Sequence, residues 1–157
     1  MRRDIEIPLA ELVVNYLNSV CAVQAGGVLD ATICPIVTFY DPMSVDQADR
    51  VIITVPHGET YAEQGGNFKA LVETYQKTLW TQKTLADDMA KHFARVNEVR
   101  DKYFAPNIID LMSDLPVAGI TVGFVNPRMQ FNTKTLGERG GWITSETAFE
   151  LQGYISA

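Results

Sequence analysis

Thiols and imidazoles are scarce in this chain: 157 residues carry two cysteines and two histidines, and nothing groups them. Cys21 and Cys34 lie in apolar contexts, NSVCAVQ and ATICPIV, with no CxxC spacing and no histidine within metal-ligand range, so they read as two small buried hydrophobes. No run approaches the ~18 consecutive apolar residues of a membrane span. The opening MRRDIEIPLAEL has acidic residues where a signal peptide needs an apolar run, which leads us to expect a protein of the cytoplasm or of an assembly built there. Positive charge is in deficit, with 13 Lys and Arg against 19 Asp and Glu and a net charge of −6. The molecule as a whole therefore does not attract a phosphate backbone, although a local basic patch remains open. GxSxG and HExxH are absent, GETYAEQGGN lacks the Lys-Ser/Thr ending of a P-loop, and GERGGW precedes a strand where a phosphate cradle needs a helix N-terminus. Nothing positive supports an enzyme, and no cofactor or metal is expected.

What the chain does have is a folded composition, 46% hydrophobic and 20% charged, in a length that suits one domain over residues 1–157. The clearest periodic signal runs from Thr81 to Phe104. There Leu85, Met89, Phe93, Val96, Val99 and Tyr103 recur at steps of three and four, and Asp87, Asp88, Lys91, Arg95, Glu98 and Arg100 fall mostly elsewhere. Thr81 or Thr84 caps this helix and Pro106 ends it. A second helix spans Pro8 to Val20 on the stripe Leu9, Leu12, Val13, Tyr16, Leu17 and Val20, and Gly26-Gly27 stops whatever part of it continues. Strands are expected at Ile33–Tyr40, either at an edge or starting at Ile36 because of Pro35, then at Arg50–Val55, Phe68–Leu79, Ala118–Val125 and Trp142–Ile155. PNIIDLMSDLP is ambiguous between a helical turn and an irregular crossing.

The expected fold is therefore α+β, a mostly antiparallel sheet with two helices packed on one face, in the order α-β-β-β-α-β-β. Two long polar excursions stand out, residues 56–67 and 126–141, and loops of that length on a small domain are usually binding arms. His57 in the first has Glu59 and Glu63 close in sequence; as a metal or general-base site it would support a small ligand-binding domain or enzyme. A Gly-rich loop does not fix three ligands, however. His92, beside the apolar stripe of the long helix, reads as a partly buried or surface histidine. The long strands carry mixed faces whose Tyr75 and Trp142 need partners that one small core does not supply, which points to subunit contact.

The order and content of ITVPHGETYAEQGGNFKALVETYQKTLW, TLADDMAKHFARVNEVRDKYF and ITVGFV … WITSETAFELQGYI resemble the tail terminator (tail-completion, neck) proteins of long-tailed bacteriophages. The resemblance covers most of the chain and consists of element order, size and loop placement. It implies a structural virion protein, assembled in the host cytoplasm, that forms a homo-oligomeric, hexameric ring on the tail tube, ends tube polymerisation and joins the tail to the head connector protein. DNA would pass its channel without specific binding, in keeping with the acidic balance. No catalytic residue is implied. The interface residues expected to meet an acidic neighbour surface are Arg128, Lys134 and Arg139 in the last long excursion, with Trp142 at its base. Another head-tail joining or head-completion protein is the nearest alternative, and a nucleic-acid-binding module is disfavoured by charge.

Overall fold

The computed structural model describes residues 5–40, 49–56, 61–62, 67–113, 120–126, 132–136 and 140–155. The chain is mixed α+β. Helix α1 (Glu6–Val20) is followed by strands β1 (Ile36–Thr38), β2 (Arg50–Thr54), β3 (Tyr61–Ala62) and β4 (Asn67–Thr81). Helices α2 (Leu85–Tyr103) and α3 (Ile108–Ser113) come next, then β5 (Ile120–Asn126), β6 (Asn132–Leu136) and β7 (Gly140–Ile155). The order thus has two strands and one helix more than expected. β3 lies inside the excursion 56–67 and β6 inside 126–141. Both were hidden because a strand of two residues, or one reading NTKTL, offers no apolar alternation.

β4 and β7 are the spine of the sheet, paired antiparallel from Asn67↔Tyr154 to Thr81↔Gly140. Each outer edge of this ribbon holds two short strands end to end. β2 and β3 pair with β4, while β6 and β5 pair with β7, all antiparallel. β1 closes the β2 edge, and it does so parallel, with Ile36 opposite Val51 and Thr38 opposite Ile53, the one parallel pair among the described strands. Proline explains its length: Pro35 cannot donate to the ladder, so β1 begins at Ile36, yet the Pro35 carbonyl still accepts from the Val51 N–H at 2.9 Å.

One face of this sheet is packed. Phe68, Ala70 and Val72 of β4, Phe149 and Leu151 of β7, and Val51, Ile53 and Val55 at β2 share a core with Leu9, Leu12, Val13, Tyr16 and Leu17 of α1, Val99 and Tyr103 of α2, and Ile108 and Met112 of α3. Period-2 alternation on the strands and period-3.6 spacing on the helices point these side chains at one another. α1 starts at Glu6, which leaves Pro8 in the first turn where its missing N–H is no loss. It also ends earlier than the glycines suggest. Cys21 is already extended, and Gly26 and Gly27 shape the following turn, the first with φ +83° and the second so close to the chain that a Cβ would stand 2.3 Å from the Ala22 carbonyl oxygen.

α2 does not sit as its apolar stripe suggested. Its buried residues are His92, Arg95, Val96, Val99 and Tyr103, whereas Phe93 is exposed and Leu85 and Met89 are only half-buried. The reason lies in the floor beneath it. Along the covered face β4 changes from Phe68, Ala70 and Val72 to Thr74, Gln76 and Thr78, and β7 from Leu151 and Phe149 to Thr147 and Ser145. A polar floor selects the polar side of the helix.

Candidate functional site

The sheet's second face has no helix on it among the described residues, since α1, α2 and α3 all bury their side chains in the core of the first. The register fixes what this uncovered face presents. Successive cross-strand pairs of β4 and β7 on it are Leu79–Trp142, Lys77–Thr144, Tyr75–Glu146, Glu73–Ala148 and Leu71–Glu150. β2 extends two of these rows, with Arg50 opposite Lys77 and Ile52 opposite Tyr75.

Trp142 is the aromatic centre of this face. The Arg50 guanidinium carbon lies 5.3 Å from the ring centroid and the Lys77 ammonium 5.7 Å, so two cations directly opposite each other on neighbouring strands share one indole. Like charges in that register repel. The negative face of the ring offsets part of the cost, at about 0.5–1 kcal/mol for a cation at an exposed site and more for Arg50, which is only 9% exposed. The carboxylates Glu146, Glu73 and Glu150 stand one, two and three rows from the cations. The Tyr75 hydroxyl donates to Glu73, and Glu146 converges on the same hydroxyl; burial first, then the two carboxylates, pushes the phenol well above its ordinary range. Lys69 pairs with Glu150 at 3.4 Å. The face is thus banded into apolar, cationic and acidic rows.

Of the residues expected at an interface, Trp142 is on this face and Lys134 is on β6 at the position opposite Thr144. Arg128 and Arg139 lie outside the described residues, as do His57, Glu59 and Glu63. Sequence reasoning missed Arg50 and Lys77, because only the pairing of β2 with β4 and of β4 with β7 brings them to Trp142. Alternation along FKALVETYQKTLW already put Lys77 and Tyr75 on one face, and that was the available signal.

A second cluster is buried between α2 and the polar floor. His92 is fully buried, its Nδ1 2.8 Å from Thr78 Oγ1 and its Nε2 2.7 Å from Ser145 Oγ. Burial, then the Arg95 cation, pushes its pKa down to about 4. This corrects the expectation of a partly buried or surface histidine. The Ser145–His92 contact has the length of a nucleophile–base pair, but Ser145 is 2% exposed and the far nitrogen meets a hydroxyl where a triad needs a carboxylate. Next to it Arg95, 2% exposed, donates to Asp49 at 2.6 Å, while Asp49 also accepts the Leu79 backbone N–H at 2.8 Å. Arg95 Nε, Gln76 Oε1 and Trp80 Nε1 are buried without a hydrogen-bond partner among the described residues.

Cys21 and Cys34 are buried free thiols, pushed by burial up to about 12 and about 11 respectively, and hence inert. Among the described residues no group of three His, Cys, Asp or Glu is arranged to hold a metal ion, and no helix is long and apolar enough to cross a membrane. No known family's sequence profile matches the chain, and no curated protein matches it either.

Proposed function

We propose that the protein is a structural subunit of a phage or phage-like tail, closing with copies of itself into a six-membered ring that caps the tail tube, ends its polymerisation and offers a surface to the head connector. The resemblance in element order supplies the reading. The observation that carries it furthest is the uncovered sheet face: about 50 Å long by the rise of a 15-residue strand, and four strands wide at ~4.8 Å, it is of the order of the roughly 800 Å² per partner of a stable interface. Its make-up suits that role, with Trp142 as a residue type that dominates binding energy and Leu79 and Tyr154 exposed at its two ends. A cyclic contact of this kind needs no catalytic group. Its mechanism is geometric, because a closed ring adds a layer that the tube subunit cannot extend. A net charge of −6 lets DNA pass without being held.

The test at the level of the surface is Trp142→Ala combined with Lys77→Ala. The double variant is expected to keep its circular dichroism spectrum and to lose self-association by tenfold or more, read by sedimentation velocity. A variant that associates like the wild type would remove this face from the interface.

A further inference from the structure

The seam beneath the first half of α2 is built unlike the rest of the core. From Leu85 to Arg95 the helix meets the sheet through His92 and Arg95 lying on Thr78, Gln76 and Ser145, whereas from Val96 to Tyr103 it meets it through Val99 and Tyr103, the latter stacked 4.4 Å from Phe149. Gln76 Nε2 donates to the Arg95 carbonyl at 3.3 Å, and three polar atoms of the seam have no hydrogen-bond partner among the described residues. The N-terminus has no side-chain cap either, since the Thr84 hydroxyl turns to Asp88 and bonds no backbone N–H. Trp80 and Ile143, 7% and 0% exposed on the same side of the sheet, give the seam an apolar end, so opening it exposes less hydrocarbon than opening the core would and also hydrates polar groups that gain partners by it.

We infer that α2 is a hinged element whose first half, Leu85 to Arg95, lifts from the sheet as a unit while the second half stays anchored by Val99 and Tyr103, and that acid drives the opening through His92. The hinge falls at Val96, where the buried residues turn from polar to apolar. About ten residues of helix are marginal in water without tertiary contact, so the lifted half melts and its amides exchange. Protonation has a direction. In the closed state an imidazolium would sit between two hydroxyls beside the Arg95 cation. The other charged group of the seam, Asp49, is already bonded to that arginine, and the facing residues of β4 and β7 are uncharged. In the open state the ring is in water and takes up a proton freely. Opening is therefore favoured about 30-fold more at pH 5 than at pH 8, given an ordinary imidazole pKa of 6.5.

Hydrogen exchange of the whole protein, read by peptide mass spectrometry and corrected for the intrinsic pH dependence of exchange, decides this. The expected result is protection at least tenfold lower in residues 86–95 than in 97–103, with the gap widening as pH falls from 8 to 5. In His92→Gln the acid-dependent widening should vanish. Equal protection in the two halves at pH 8 overturns the hinge, and that reading needs no variant. A gap that does not change with pH in the wild type overturns the role of His92. The inference is independent of the ring reading, since a lone subunit displays it.

Discussion

Asp49 ties three elements together at one point: it stands just before β2, its Oδ2 accepts from Arg95 of α2, and its Oδ1 accepts the Leu79 N–H of β4. Arg95 is almost fully buried, so Asp49→Ala would leave a desolvated cation unpaired, at a cost of about 3–5 kcal/mol in denaturant unfolding. Adding Arg95→Met to that variant is expected to recover most of the loss; if the double variant is no more stable than the single one, the pair is not what holds the seam. His92 has its own signature. Above about pH 7 its ring is neutral whether the chain is folded or unfolded, so the contribution is fully present there. Its folded pKa of about 4 lies below the ordinary 6.5, so as the pH falls through that window the unfolded chain takes up a proton that the folded chain refuses. Stability falls with it, by about 3 kcal/mol once both pKa values are passed. Urea midpoints at pH 7.5 and pH 4.5 measure this, and His92→Gln should lack that part of the slope. Neither residue was legible as core in the sequence. A histidine and an arginine are far more often exposed, and what buries these two is the Thr-Gln-Thr floor of β4, whose covered face turns from apolar to polar just before α2 begins.

At the scale of elements, Phe149 and Phe93 are the contrasting pair. Phe149 is fully buried under Tyr103, whereas Phe93 is 37% exposed on α2. Phe149→Ala should cost about 3–5 kcal/mol and Phe93→Ala no more than about 0.5 kcal/mol in thermal or urea unfolding. A large loss at Phe93 would mean that the expected stripe, and not the observed one, faces the sheet. The main elements could be read from periodicity alone: α1, the long α2, and the ribbon of β4 and β7, whose alternating residues keep one face across the whole ladder. The helix faces could not be read to within one turn, because Leu85, Met89 and Phe93 form as regular a pattern as Val96, Val99 and Tyr103. β6 could not be read either. NTKTL is a strand because β7 extends past β5 and offers it an edge, a property of the partner and not of the segment. The parallel pairing of β1 with β2 depends likewise on where the connection returns the chain.

For the whole molecule, an asymmetric sheet is the feature with the largest consequence. One face carries all three helices; the other carries rows of tryptophan, cations and carboxylates with no helix over them among the described residues. Such a face was legible in part, since the alternation of FKALVETYQKTLW put Tyr75 and Lys77 together, while the assembly of Arg50 and Lys77 around Trp142 required the strand order. If charged rows contribute to the subunit contact, association weakens as salt rises from 0.05 to 0.5 M, and an association indifferent to salt would assign the contact to the apolar residues alone. The most direct test of the central claim is the solution mass of the purified chain by light scattering over a wide range of concentration. The ring reading predicts a discrete species of about six times the 17.4 kDa of one chain. A chain that remains monomeric at every concentration, and also when tube assemblies are added, would contradict it.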